Sequence, residues 1–447
     1  MRKIFITTIL ILFFFLSILQ ISTHAQRTEL PREEFMKRRT ALMEQVKKGM
    51  IILFANADSQ PGAHFRQDND FYYFTGIEDM NAILVMTPIT GEAVLFLPEQ
   101  SSREEFSEGK NLLKDPEAKE KTGLTSINTL SSFKEYMAQN LGKVEKTFYI
   151  RLSPQDSVDH SRWEMIRLNL RKTRNPYNGQ LSLDLYRKEK LKEQYPGVEI
   201  KDVVPFIDAL RLIKTPGEIE ILRRNGKISA EAIKQAMRAT RPGTYEYELE
   251  AAAVHVILKN GARGVAYPPI VGSGPNSCIL HYNKNGRRME AGDIILMDFG
   301  ADLDYLCMDI TRTWPVSGKF TPEQREIYQS VLEVQKACIE AYRPGITFKE
   351  VQEHVAEVMK KKKINPRGLK GGMHHYIGMA THDVGMAGIP LKEGMVFTIE
   401  PGLYYSEKNL GIRIEDTILV TKDGCEVLSK DVPKEIDEIE ALMAGNK

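Results

Sequence analysis

The stretch IILMDFGADLDYLCMDITRTWPV, residues 294–316, decides how this chain folds and what it holds. It reads as a β-hairpin, two apolar β-prone arms around a turn at ADLD, residues 301–304. Each arm carries one carboxylate, Asp298 and Asp309, and an antiparallel pair can bring them side by side at the hairpin centre. A second hairpin repeats the plan: MVFTIEPGLYY, residues 395–405, then GIRIEDTILVT, residues 411–421, with Glu400 and Glu415. Between the two runs GGMHHYIGMATHDVG, residues 371–385, with His374, His375 and His382.

Four carboxylates and an imidazole in apolar strands are costly to bury without partners. Arg312 or Arg413 could serve one or two of them as ion pairs, but a pair of divalent cations satisfies all of them at once. A dinuclear metallohydrolase is therefore the leading reading. Oxygen ligands with a single nitrogen make a hard site, which favours Mn²⁺, with Co²⁺, Fe²⁺ or Zn²⁺ as possible occupants. The absence of thiolates argues against structural zinc. Two cations bridged by carboxylates would hold a water, lower its pKa to give hydroxide at neutral pH, and polarise a carbonyl oxygen. Alternation along RIED places Arg413 and Glu415 on one face and Ile412 and Ile414 on the other, so Arg413 could orient Glu415 or a neighbouring ligand.

Working outward, each hairpin is preceded by the same helical unit. Thr215-Pro216-Gly217-Glu218 is a helix start with Thr as N-cap, Pro at the first helical position and Glu218 at the third. That helix stops before Arg241-Pro242-Gly243, and a second one ends near Gly261. The pattern recurs as TPEQ from Thr321, Arg343-Pro344-Gly345, and a helix from Phe348. The recurrence of helix, RPG, helix and hairpin implies an internal duplication whose halves give carboxylates to a shared centre.

Residues 26–200 read as a separate α/β unit, with strands in KKGMIILFANA (47–57), NAILVMTP (81–88) and AVLFLP (93–98). A charged stretch from Arg187 to Gln194 leads to Tyr195-Pro196-Gly197, which reads as the approach to the boundary with a second domain, 201–447. The fold class is thus α/β (α+β), two domains in 447 residues.

The first 25 residues differ from the rest. Arg2 and Lys3 precede an almost wholly apolar run from Ile4 to Ile21, and Thr23-His24-Ala25 resembles a cleavage site before Gln26. This is the pattern of a secretory signal peptide, residues 1–25, and implies an exported protein, periplasmic or secreted. An uncleaved N-terminal membrane anchor is the alternative, since the run is near spanning length. No later segment is long and apolar enough to span. A net charge of +1 gives no reason to expect nucleic acid or an anionic membrane as partner. Cys278, Cys307, Cys338 and Cys425 lack CxxC spacing and are too few for a disulfide framework in so long a chain, so they read as buried free thiols.

The motifs ILHY (279–282), MDFG and MDITRT (297–300, 308–313), HH with HDVG (374–375, 382–385), TIEPG (398–402) and GIRIED (411–416) resemble those of the pita-bread metallopeptidases. Within that group the chain resembles the aminopeptidase P (Xaa-Pro aminopeptidase) family. FRQDNDFYYFTGIEDMNAILVM (65–86) is similar to its creatinase-like N-terminal domain, and VPKEIDEIEALM (432–443) to its tail. The resemblance implies a pita-bread catalytic domain with a pseudo-twofold repeat. It implies a ligand set of Asp298, Asp309, His375, Glu400 and Glu415 for two divalent metals per chain, Asp309 and Glu415 bridging. Glu400 would also pass a proton to the leaving amine. His281, His382 and Arg413 would lie on the substrate-binding side, with His281 and His382 donating to the scissile carbonyl or the tetrahedral intermediate. His64, His160, His255 and His354 carry no such implication. The implied activity is release of the N-terminal residue from peptides with proline second, by attack of a metal-bridging hydroxide. Prolidase, which takes only Xaa-Pro dipeptides, is the near alternative, and a catalytically inactive binding protein a more distant one. Homo-oligomerisation is left open.

The chain also departs from the family pattern. The family usually has a histidine four positions before the ligand histidine, where this chain has Gly371, and His374 is an extra neighbour. Met379-Ala380-Thr381 replaces the usual residues before HDVG, and the loop from His382 to Glu400 is short. These changes bear on specificity more than on metal binding.

Overall fold

A computed structural model describes residues 30–57, 64–178, 182–369, 372–386 and 388–445. The expected signal peptide, residues 1–25, and Gly371 lie outside the described residues. No helix among the described residues is long and apolar enough to cross a membrane.

The amino-terminal unit is built on a six-stranded mixed sheet in the order β4-β3-β2-β1-β5-β6. Its strands are β1 (Met50–Phe54), β2 (Ile83–Thr87), β3 (Glu92–Leu97), β4 (Ser126–Thr129), β5 (Thr147–Ile150) and β6 (Glu199–Asp202). Both faces of the central strands are buried, which accounts for their near-continuous apolar sequences. The charged stretch before Tyr195-Pro196-Gly197 is a helix, Leu183–Gln194, and the tripeptide is the short loop into β6. The chain therefore returns to the first sheet after that turn. It leaves through the helix Val204–Leu212.

The second unit follows the duplicated plan. The helices Pro216–Ala239 and Glu246–Lys259 form one pair, and Pro322–Ala341 and Phe348–Lys361 the other. Thr215 and Thr321 each close a capping box with the third helical residue, Glu218 or Gln324. The RPG turns are equivalent in detail. Gly243 and Gly345 sit at φ 95° and 89°, a conformation that glycine adopts without steric cost. Gly243 donates to the Met289 carbonyl and Met289 returns a bond to Thr244; Gly345 donates to Leu391 and Leu391 returns one to Ile346. Each turn thus pins the segment that leads into its own hairpin.

Both hairpins keep one register from base to tip. In the first, β9 (Ile294–Asp298) pairs with β12 (Thr311–Pro315), and β10 (Ala301–Leu303) with β11 (Leu306–Cys307). The tip is Asp304-Tyr305, both at positive φ (51° and 67°), as a two-residue hairpin turn with the favoured twist requires. The turn therefore begins at the last residue of the expected ADLD, whose first three residues are strand. Asp298 faces Thr311. The count inward then places Gly300 opposite Asp309, so the two aspartates are diagonal neighbours on one face and not directly opposed. Gly300 is forced here, because a Cβ would stand 1.6 Å from the Met308 carbonyl oxygen.

In the second hairpin β13 (Val396–Ile399) pairs with β16 (Asp416–Val420), and β14 (Gly402–Tyr405) with β15 (Leu410–Arg413). Ile399 faces Asp416 and Gly402 faces Arg413, so Glu400 and Glu415 fall directly opposite each other. Three short strands flank the hairpins: β7 (Gly264–Val265) on β10, β8 (Ile270–Ser273) on β9 and β17 (Cys425–Val427) on β16.

The returning arms of the two hairpins meet along their length. The Glu415 N–H donates to the Thr311 carbonyl (3.0 Å), the Thr313 hydroxyl to the Arg413 carbonyl (2.9 Å), and the Thr417 hydroxyl to the Asp309 carbonyl (2.8 Å). At the centre of this seam Arg312 and Asp416 form an ion pair at 2.6 Å, both side chains fully buried. All four cysteines are free thiols; Cys307 and Cys338 are buried, whereas Cys278 and Cys425 are half-buried.

Candidate metal centre

The seam brings the four carboxylates together. Asp298, Asp309 and Glu415 are buried, and Glu400 is partly open. The segment carrying His375 docks antiparallel against β13 through a bridge between Tyr376 and Phe397. His375 N–H donates to Thr398 Oγ1, Thr398 N–H returns a bond to the His375 carbonyl, and Glu400 N–H donates to Met373. His375 Nε2 comes to lie 3.4 Å from Asp309 Oδ2 and 3.7 Å from Glu400 Oε1. Its Nδ1 faces the Tyr376 carbonyl at 3.1 Å, so Nδ1 carries the proton and the Nε2 lone pair points at the carboxylates. One potential ligand atom each from Asp309, His375 and Glu415 lie within 4.8 Å of one another.

Charge is costly in this cluster. Burial pushes the Asp309 carboxyl well above the usual carboxylate range, and the Asp298 and Glu400 charges push it further. Glu415 is raised in the same way, by burial and then by Asp309, Asp298 and Glu400. Apart from His375, Arg413 is the only cationic side chain among the described residues that pairs with the four carboxylates. The donor set of carboxylate oxygens and one oriented imidazole fits hard divalent cations.

Arg413 acts from behind the ligands. Its guanidinium is buried and donates to Asp298, to Thr311 Oγ1 (2.9 Å) and to the Tyr404 hydroxyl (2.9 Å). Its effect on Glu415 is indirect: the Thr311 hydroxyl passes a bond of 2.6 Å to Glu415 Oε2. This makes Arg413 a buried support for Asp298. Arg312 serves Asp416 and the Glu415 carbonyl, and pairs with none of the four cluster carboxylates. Tyr267, in the sequence AYPP, was not singled out above, yet its hydroxyl bonds both Asp298 and Asp309. Burial first, then these two charges, push that phenol well above its usual value.

The remaining histidines divide. His382 packs edge-on against His375, ring centroids 4.2 Å apart, and its Nδ1 is bonded at 2.6 Å to Glu164, a residue of the amino-terminal unit. Burial raises the Glu164 carboxyl, but the His382 bond and charge, with the Ser161 donors, outweigh it and bring it down to about 2. His281 is exposed on the loop after the turn Gly274–Cys278 and, among the described residues, makes no hydrogen bond to the carboxylates. That loop is anchored by buried Glu246, which accepts from Ser273, Asn276, Tyr282 and the Arg287 N–H. His374 turns away from the cluster and stacks on Phe348 (3.8 Å); burial lowers its pKa to about 4. His160 pairs with Asp159.

The chain matches two families in tandem. The aminopeptidase P N-terminal domain matches residues 35–149, and metallopeptidase family M24 matches residues 220–422. It is 36% identical to the Xaa-Pro aminopeptidase of Escherichia coli (strain K12), over 94% of this chain and 99% of the relative. It is 32% identical to Xaa-Pro aminopeptidase 3 of Homo sapiens, over 85% and 76%. Among solved structures, it is similar to the low-pH form of aminopeptidase P from E. coli at a TM-score of 0.81 and 33% identity, covering 94% of this chain and 99% of that one. Zinc-substituted E. coli aminopeptidase P in complex with product matches at a TM-score of 0.79 and 33% identity, over 94% and 100%.

Proposed function

The chain belongs to the aminopeptidase P family of M24 metallopeptidases and is a metalloexopeptidase of pita-bread fold, and on that premise we propose that it is a dinuclear Xaa-Pro aminopeptidase. The observation that carries this reading is the convergence of both hairpins and His375 on one cluster of buried, mutually repelling carboxylates. We assign Asp298, Asp309, His375, Glu400 and Glu415 as ligands of two divalent cations, Mn²⁺ first, with Asp309 and Glu415 shared. Bound there, the cations would supply Lewis acidity and an activated water.

The chain's own groups do the rest. Arg413 and Tyr267 hold Asp298 and Asp309 in place from the protein side. Glu400, the most open of the four carboxylates, is placed to carry a proton to the leaving amine. His281 and His382 would line the substrate side, with His281 free to donate to the scissile carbonyl oxygen. Proline at the second position lacks an amide hydrogen and stiffens the backbone, so a site shaped for the ring gains orientation from it. We place the division between the domains after β6, near residue 203. We infer export after cleavage behind Ala25, and N-terminal sequencing of the mature protein should return Gln26; recovery of Met1 from membranes would establish the anchor instead.

The function is tested by peptide cleavage with the Mn²⁺-loaded protein. An Xaa-Pro-Yaa peptide should lose its first residue, and an Xaa-Ala-Yaa peptide should not be cleaved comparably. Glu400→Gln should lower turnover by roughly two to four orders of magnitude, as loss of a proton-carrying group does. Equal cleavage of Xaa-Ala peptides would sink the proline assignment. Cleavage of Xaa-Pro dipeptides alone would make prolidase the correct name.

A further inference from the structure

The contact between Glu164 and His382 joins two residues that no motif connects. Glu164 lies in the first turn of the helix Arg162–Lys172 in the amino-terminal unit, and His382 stands beside the ligand His375. Glu164 uses both oxygens: Oε2 accepts from Ser161 N–H and Oγ (3.0 Å each), and Oε1 meets His382 Nδ1 at 2.6 Å. A capping box needs only the first of these.

Both ends of the contact are fixed by one buried charge network. Arg162, two residues before Glu164, bonds Asp70 at 2.7 Å and 3.0 Å and Asp208 at 3.0 Å. Asp383, next to His382, receives Arg211 at 2.6 Å, and the same Arg211 bonds Asp70 (2.9 Å) and Asp156 (2.8 Å). Asp383 also accepts from Met379 N–H, and its own N–H donates to the Tyr376 carbonyl, closing the loop that carries both histidines. Asp70, Asp156, Arg211 and Asp383 are almost wholly buried. Asp70 therefore ties the start of the Glu164 helix to the loop of His382 through one shared carboxylate.

We propose that Glu164 is a positioning residue, which the amino-terminal domain supplies to the active site to fix the orientation and tautomer of His382. A carboxylate only accepts, so the Nδ1 it meets carries the proton. The neutral ring then presents a lone pair at Nε2, which has no hydrogen-bond partner among the described residues and can accept from a substrate or water donor. The proposal rests on the aminopeptidase reading for what Nε2 acts on, but the tautomer it asserts does not depend on that reading.

Glu164→Gln makes a sharp test. The glutamine oxygen can still cap Ser161, while its NH₂ faces Nδ1 and demands the opposite tautomer. With the zinc-loaded protein selectively labelled at histidine nitrogen, the wild type should show His382 protonated at Nδ1, and Glu164→Gln should move that signal. Turnover should fall roughly 10- to 100-fold, the usual effect of losing an outer partner that orients a site imidazole, with KM, metal content and melting temperature nearly unchanged. In a His382→Ala background the Glu164→Gln change should have no further effect, and Glu164→Asp should recover part of the loss. An unmoved nitrogen signal, or equal losses with and without His382, would overturn the positioning role. A moved signal in a protein inactive on Xaa-Pro peptides would instead leave this contact standing and refute the substrate assignment.

Discussion

Each hairpin keeps a single register across a break in its strands at the carboxylates, yet their tips end in different surroundings. The first closes on Asp304-Tyr305, and Tyr305 is buried in the amino-terminal unit. Its ring stacks on Tyr72 at 3.5 Å between the guanidinium groups of Arg66 and Arg263, and its hydroxyl accepts from Gln67 N–H and donates to Glu78. The second closes on Ser406–Lys408 and Asn409, all exposed. The duplicated element thus brings carboxylates to the shared cluster twice and serves domain docking once. The left-handed backbone at Tyr305, unfavourable for an aromatic residue, is held by that docking. The difference teaches that one hairpin stands on its own packing, whereas the other takes its orientation from the neighbouring domain.

The largest expected effect falls on the seam that both hairpins share. Arg312→Ala removes one of the two charge partners of buried Asp416, leaving only Lys434, and strips the Glu415, Val432 and Pro433 carbonyls of their guanidinium donor, so it should cost about 3–5 kcal/mol in chemical denaturation. A loss similar to that of a surface variant would mean the seam does not bind the halves together. Next come the tips. Tyr305→Ala should cost about 3 kcal/mol or more, the range for deleting a buried aromatic ring. Lys408→Ala, at the exposed tip, should stay within about 0.5 kcal/mol. Equal costs at the two tips would erase the comparison.

A smaller effect concerns pH. Asp309 and Glu415, one from each hairpin, have carboxyl groups raised well above their ordinary range in the metal-free protein. A group with a raised folded pKa stabilises the fold below its unfolded pKa and loses that contribution as pH rises through the folded value. The metal-free protein should therefore weaken as pH climbs from the ordinary carboxylate range of about 4. Divalent metal should restore more stability the higher the pH, since binding displaces those protons. Melting curves with chelator and with Mn²⁺ over this range check the sign, and a metal-induced shift that shrinks with rising pH would contradict it.

Much of this was legible in the chain. Helix starts at Thr215 and Thr321 declare themselves because capping chemistry is local, and the repeated RPG turns declare the duplication because glycine is needed at positive φ. The carboxylates stood out because charge in a β-prone apolar run requires an explanation. What the sequence could not convey is register and distance. The register puts Gly300, and not Asp298, opposite Asp309, and the close backbone approach there admits no side chain; residue spacing reveals neither. Tyr267 and Thr311 join the cluster through folds of the chain, with no pattern of their own. Ser161-x-x-Glu164 signals only a helix start, so the reach of Glu164 to a histidine 218 residues away stays hidden until the domains are seen together.

The account stands or falls on both hairpins feeding one dinuclear centre. Elemental analysis of the fully loaded protein, beside Asp309→Asn from the first hairpin and Glu415→Gln from the second, tests this directly. The wild type should hold about two divalent ions per chain, and each variant should weaken both sites, because each removes a shared ligand. One ion in fully active protein, or a variant that loses one ion and keeps the other at full affinity, would contradict it.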